Sequence, residues 1–107
     1  MEDMIARIKS DILKAIAHPT RLKIIELLRH GEKCVCEIIP ALGLEQANVS
    51  QHLAVLRDRG IVEYRRQGAS VFYRVRNKEI YKMLDYLDEI VLENLEYTKD
   101  IIIKIKK

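Results

Sequence analysis

Two cysteines stand one residue apart in Cys34-Val35-Cys36, and the chain has no others. Thiolates are soft ligands suited to arsenite, Cd(II), Cu(I) and similar ions, and a thiol at a helix start has a lowered pKa that exposes more thiolate. Residues two apart on a helix point ~200° from each other. The two sulfurs can therefore share one ion only if Cys34 lies outside the helix or the first turn is unwound, and Pro40 helps by weakening that turn. With no third thiol, such a site is two-coordinate within one chain or is completed by another group. Arsenite prefers three thiolates, so its affinity should be reduced. The same pair could serve as a thiol-redox or persulfide switch, since a disulfide between residues this close is easily reduced. It could also be two small apolar fillers near a helix start. The sequence leaves all three readings open.

A second group of residues could read a base sequence. In the stretch Leu42 to Val62 (LGLEQANVSQHLAVLRDRGIV), Val49, Leu53 and Leu56 are spaced by four and three, which marks a helix with one buried stripe. Ala47, Gln51, Ala54 and Asp58 then point away from the core, flanked by Asn48, Ser50 and Val55. Small residues and uncharged hydrogen bonders occupy a face where most surface helices carry Lys and Glu. Such a face allows close approach to a duplex, and Gln or Asn can pair with a base edge in a bidentate way. Gln46, Ala47, Asn48, Ser50 and Gln51 are the candidate reading residues. His52, at the flank of the buried stripe, is packed or bonds a phosphate. Glu37 to Leu42 (EIIPAL) forms a shorter helix before the Gly43 turn, which completes a helix-turn-helix over residues 35–60. An ordinary helical hairpin gives the same pattern in isolation, so the surroundings decide. Glu45 is an unusual residue to begin the second helix, because Ser, Thr, Asp or Asn caps better.

Those surroundings are basic. From Arg57 to Lys78 there are seven basic and two acidic residues, and from Glu79 to Asp100 seven acidic and two basic. One face is thus suited to a polyanion and another is turned away from it. Val62 and Tyr64, then Val71, Tyr73 and Val75, alternate as strands do. Between them Arg65-Arg66-Gln67-Gly68-Ala69-Ser70 reads as a hairpin tip, so residues 61–76 form a wing. Arg57, Arg65, Arg66 and Arg74 are the candidate phosphate contacts. No nucleophile–base pair or paired-carboxylate site is present, and we expect no enzyme. A protein-interaction module without a DNA role is the rival class, disfavoured by the arginine-rich hairpin and the uncharged outer face.

Three further helices must hold these groups in place. Residues 3–17 carry apolar positions at Ile5, Ile8, Ile12 and Ile16, and His18-Pro19 ends that helix. A central, most buried helix runs from Pro19 to about His30, with Gly31 as its C-cap. From Lys78 to about Ile103 the apolar positions Ile80, Leu84, Leu87, Val91, Leu95 and Ile102 fall on one stripe. A helix of this length spans ~38 Å, more than a 107-residue chain needs for one packing surface. The surplus predicts a homodimer with residues 1–17 and 78–103 at its two-fold interface. The chain is expected to be one domain, mostly α with a β-hairpin, in the order α-α-α-α-β-β-α. Its hydrophobic content of 49% is ordinary for a globular chain. No signal peptide or membrane span is visible, so a cytoplasmic location is expected, where Cys34 and Cys36 are unlikely to make a structural disulfide.

In this order, the segments AIAHPTRLKIIELL (Ala15–Leu28), CVCEI (Cys34–Ile38), Leu42–Val62 and RRQGASVFYRV (Arg65–Val75) resemble the arsenic-repressor (ArsR/SmtB) family of dimeric winged helix-turn-helix transcription regulators. The resemblance covers most of the chain. It implies repression of an operator, relieved by an inducer, and two reading helices in a dimer predict that the operator is a palindrome with half-sites ~34 Å apart. It also implies that Cys34-Val35-Cys36-Glu37 matches the family's thiol-based metal sensors, with a thiophilic ion as inducer and none required for folding. The chain departs from the family's pattern at Glu45, where a Ser typically caps the reading helix, and at Pro40. Its final helix also has no His, so the family's zinc site there lacks those ligands.

Overall fold

A computed structural model of the chain describes residues 1–106. Its elements are α1 (Glu2–Ile16), α2 (Pro19–Leu27), β1 (Lys33–Cys34), α3 (Val35–Leu42), α4 (Gln46–Asp58), β2 (Val62–Gln67), β3 (Ser70–Val75) and α5 (Glu79–Lys106). Residues 1–77 form one compact unit, and the second unit, which begins at Lys78, contains α5.

Within the first unit, apolar periodicity sets the packing. Ile24, Ile25 and Leu28 from the α2 region, Ile38 of α3, and Val49, Leu53 and Leu56 of α4 are all buried, together with Ile61, Val62, Tyr73 and Val75. Helix α2 touches α1, α3 and α4, as the central helix should. It begins at Pro19, whose missing N–H costs nothing in a first turn, and the His18 Nδ1 accepts a hydrogen bond from the Thr20 N–H at 3.0 Å. Its end differs from the sequence expectation. The final turn tightens, with the Leu28 N–H bonded to both Ile24 and Ile25 carbonyls, so the helix stops at Leu27 and His30 lies beyond it. Gly31, at φ +144°, therefore belongs to the link into β1 and is not the cap.

The helix-turn-helix is closed by two glycines. Gly43 adopts the left-handed conformation at the end of α3 (φ +65°) and its N–H donates to the Ile39 carbonyl, so three residues suffice to start α4 at Gln46. At the other end, the Gly60 N–H bonds to the Arg57 carbonyl and the Ile61 N–H to the Leu56 carbonyl. With Gly60 at φ +71°, this is a Schellman closure. One residue further on, at Val62, the chain enters β2.

Strands β2 and β3 pair antiparallel from Val62↔Val75 to Gln67↔Ser70. The turn is only Gly68-Ala69. Positive φ is confined to Gly68, the pattern of a type II′ hairpin. Arg65 and Arg66 are thus strand residues and not part of the tip. The third strand, β1, was not foreseen: it pairs with β3 at Lys33↔Tyr73 and Cys34↔Phe72, giving the order β1-β3-β2.

Helix α5 has 28 residues. Tyr86, Leu87, Ile90, Val91, Leu92, Leu95 and Tyr97 are exposed along it, as are Met4, Ile5 and Ile8 along α1. No helix among the described residues is long and apolar enough to cross a membrane.

The N-cap of α4, Glu45, makes no side-chain hydrogen bond to the helix. Substitution Glu45→Ser should therefore stabilise the fold by about 1 kcal/mol, read as a higher midpoint in urea denaturation. An unchanged or lower midpoint would show that the first turn of α4 is already satisfied.

Candidate nucleic-acid interface and thiol pair

Burying Val49, Leu53 and Leu56 leaves Gln46, Ala47, Asn48, Ser50 and Gln51 exposed on the opposite side of α4. His52 is set apart from them. It is half-buried, and its ring lies against that of His18 with centroids 4.3 Å apart. Loss of water around the ring holds its pKa below the ordinary value of 6.5, and the neighbouring His18 and Arg21 lower it further.

Strand register sorts the wing arginines into two groups. Cross-strand partners share a face of the sheet, so Val62/Val75, Tyr64/Tyr73 and Arg66/Val71 lie on one side, and Glu63/Arg74 and Arg65/Phe72 on the other. On that second side each arginine has an acidic partner. Arg74 donates to Glu63 at 2.6 Å. Arg65 lies over the Phe72 ring at 4.6 Å and forks onto both carboxylate oxygens of Glu32. The hydrogen bond from Arg65 lowers the Glu32 pKa, and Glu32 raises that of Arg65. These pairs are exposed and cost little to exchange for a phosphate.

The first side opens on a cleft of about 540 Å³ between α3, α4 and the wing, whose walls include Cys34, Cys36, Gln46, Ser50, Arg57, Tyr64 and Arg66. Four of the ten residues marked for DNA from the sequence therefore meet both cysteines in one cleft. Arg65 and Arg74 do not line it. Tyr64, which does, was not singled out. It was read only as part of an alternating strand, and it is 45% exposed. The signal available was its two-residue spacing from Arg66.

Cys34 and Cys36 are joined by a disulfide, their Cα atoms 5.0 Å apart. This corrects the expectation drawn from a reducing compartment. The geometric reason is the one set out for a shared ion: Cys34 lies outside the helix, in extended conformation at the N-cap of α3 (φ −66°, ψ 144°), so the two side chains converge. Cys34 also caps the helix. Its Sγ accepts from the Cys36 N–H at 3.1 Å, and Glu37 Oε1 accepts from the Cys34 N–H at 3.2 Å, a capping box with sulfur in the place of a hydroxyl. Cys34 is buried and Cys36 exposed. No cluster of three His, Cys, Asp or Glu side chains suited to a metal occurs among the described residues. The two sulfurs, once reduced, are the only soft donors the described residues of the cleft could offer an ion.

A helix-turn-helix with an uncharged outer face, followed at once by a hairpin wing, defines a winged-helix nucleic-acid-binding protein. The profile of the bacterial regulatory protein, arsR family, matches residues 18–64. The chain is 44% identical over 82 residues to an uncharacterised HTH-type transcriptional regulator of Methanocaldococcus jannaschii, covering 73% of this chain and 92% of that protein. It is 41% identical over 88 residues to the arsenic resistance transcriptional regulator ArsR1 of Pseudomonas putida, covering 80% and 68%. Among solved structures, the homodimeric winged helix-turn-helix DNA-binding domain of Mb0332 from Mycobacterium bovis superposes with a TM-score of 0.79 at 29% identity, covering 90% of this chain and 89% of that one. The protein belongs to the ArsR family of DNA-binding transcriptional regulators.

The depressed His52 pKa has a direction for stability. Folding disfavours the imidazolium, so the contribution is complete above the unfolded-state value and is lost as pH falls through the lower folded-state value. The melting temperature should fall between about pH 8 and about pH 5, and His52→Gln should show a smaller fall. Equal falls in both proteins would assign the effect to another group.

Proposed function

We propose that the protein is a cytoplasmic, homodimeric transcriptional repressor that binds a palindromic operator and is released by an inducer acting at Cys34 and Cys36. The observation that carries the reading is the shared cleft, which puts the thiol pair beside Gln46, Ser50, Arg57 and Arg66. In this reading Gln46, Ala47, Asn48, Ser50 and Gln51 face base edges in the major groove, with half-sites ~34 Å apart. Arg57 and Arg66 take phosphates, and Arg65 and Arg74 exchange their carboxylate partners for phosphates as the wing meets the backbone. His52 supports the helix from the flank. The exposed apolar faces of α1 and α5 are the dimer surfaces, in keeping with the family resemblance and with the homodimeric Mycobacterium bovis domain.

The inducer is a thiophilic ion such as arsenite or cadmium, held by the two reduced sulfurs; the arsenic-resistance role named for the Pseudomonas putida relative supports this class. The disulfide favours a second reading, a thiol-redox or persulfide switch at the same residues. Either chemistry acts at a junction. Cys34 caps α3 through its sulfur and pairs with Phe72 through its backbone, so a change there bears on the helix-turn-helix and on the wing together. A coupling of ~1–3 kcal/mol is the usual size.

Two measurements test the proposal. In binding titrations against a duplex carrying the promoter of its own gene, Gln51→Ala should relax base preference. Arg66→Ala should weaken binding to operator and random duplex alike and reduce the salt slope by about 1. Unchanged affinity of Arg66→Ala at low salt would remove the wing from the interface. Separately, arsenite, Cd(II) or oxidant should dissociate the reduced protein from DNA, and Cys34→Ser/Cys36→Ser should not respond. A loss with ions alone selects ion sensing, and a loss with oxidant alone selects the redox switch. Indifference to all of them would leave a DNA binder without a thiol sensor.

A further inference from the structure

Tyr64 stands between the two cleft arginines. The Cζ of Arg57, near the end of α4, is 5.7 Å from the centre of its ring, and the Cζ of Arg66, two residues along β2, is 6.0 Å from the same centre. Both distances are within cation–π range. The ring itself rests against Tyr73 on the neighbouring strand, with centroids 5.7 Å apart, and Tyr73 is buried. Arg57 and Arg66 approach this ring from different elements, the reading helix and the wing.

The wing treats its arginines in two ways, with different physical results. A carboxylate that fixes a guanidinium also cancels its charge, as Glu32 and Glu63 do for Arg65 and Arg74. An aromatic face fixes a guanidinium and leaves its charge intact. Arg66 makes no ion pair among the described residues, and the Arg57 contact with Asp58 is long, at 3.5 Å, and exposed. Both cations thus stay available to a polyanion while their rotamers are restricted in advance. Ordering an arginine side chain costs conformational entropy, and a group already placed loses less on binding.

We propose that Tyr64 is a positioning residue for DNA binding: one ring that holds Arg57 of the reading helix and Arg66 of the wing at the same phosphate backbone, linking the two parts of the interface. The proposal rests on the reading of this cleft as the DNA face. It assigns Tyr64 a sequence-independent role, distinct from base reading by Gln51.

The test is a mutant cycle read by fluorescence anisotropy of the full-length protein on promoter and random duplexes at several salt concentrations. Tyr64→Leu should weaken binding to both duplexes by about tenfold, the sum of two exposed cation–π contacts. Tyr64→Phe, which keeps the ring, should stay within about twofold of the parent. In an Arg57→Ala/Arg66→Ala background, Tyr64→Leu should cause no further loss. Tyr64→Val, which removes the ring and suits a strand, should cause the same loss; it gives the same information should Tyr64→Leu fold poorly. The proposal is overturned if Tyr64→Leu or Tyr64→Val binds as the parent does. Equal losses in Tyr64→Phe and Tyr64→Leu also overturn it, by showing that the hydroxyl touches DNA. So does a full loss from Tyr64→Leu in the arginine-free background. If the double arginine variant itself binds normally, the cleft is not the DNA face, and that outcome is separate from a failure of Tyr64 alone.

Discussion

The structure depends on one helix being committed on one side only. Helix α4 surrenders Val49, Leu53 and Leu56 to a core shared with α2 and β2, and burial of three such side chains stabilises its placement by several kcal/mol, ~1.5–3 each as an upper estimate. That fixes its rotation. The outward residues then need no contacts of their own, which is why Gln46, Asn48, Ser50 and Gln51 can be chosen for hydrogen bonding to something else. The same commitment explains the closing turn. A Schellman stop at Gly60 sends Ile61 and Val62 into the core, so the wing starts at a fixed distance from α4.

From that fixed start, strand alternation sorts charge. Residues 64 and 66 share a face, as do 63 and 65 with their partners 74 and 72. One ladder thus generates a neutralised side, with Arg65 and Arg74 on carboxylates, and a side where arginine charge persists beside α4. A count of arginines cannot separate these groups, because all four are exposed and basic. Their register separates them.

What the sequence made legible follows the same division. Long apolar periods marked α1, α4 and α5, because several residues vote for each, and in α4 they also marked the buried face. The short devices escaped. Strand β1 has two residues, too few for any alternation, and exists because β3 has a free edge beside it. The hairpin tip shrank to Gly68-Ala69 because polar Arg65, Arg66 and Gln67 look like loop yet pair as strand on a solvent-facing ladder. Helix α2 ended before Gly31 because tightening at Leu28 is a backbone matter that composition does not announce. Glu45 as a weak cap was visible in the sequence, and the helix begins there without its help. Among site residues, the outward face of α4 was legible from the buried stripe alone. The contact of Tyr64 with Arg57 and Arg66 was not, since their convergence is tertiary.

The missed strand is also what gives the thiol pair its reach. Had Cys34 been the first residue of a longer α3, its sulfur would have pointed away from that of Cys36, and chemistry there would have touched one helix. As the last residue of β1 it is extended, so the sulfurs meet, its own Sγ closes the α3 cap, and its backbone is stitched to β3 opposite Phe72. Phe72 in turn pairs with Arg65, whose guanidinium lies on its ring and returns to Glu32, two residues before Cys34. The segment carrying the thiols is therefore tied to the wing by a closed loop of backbone pairing, ring contact and ion pair, and to the helix-turn-helix by the cap. A perturbation small enough to involve one sulfur meets two rigid elements at once. This is the physical condition for a local chemical change to alter a surface larger than itself.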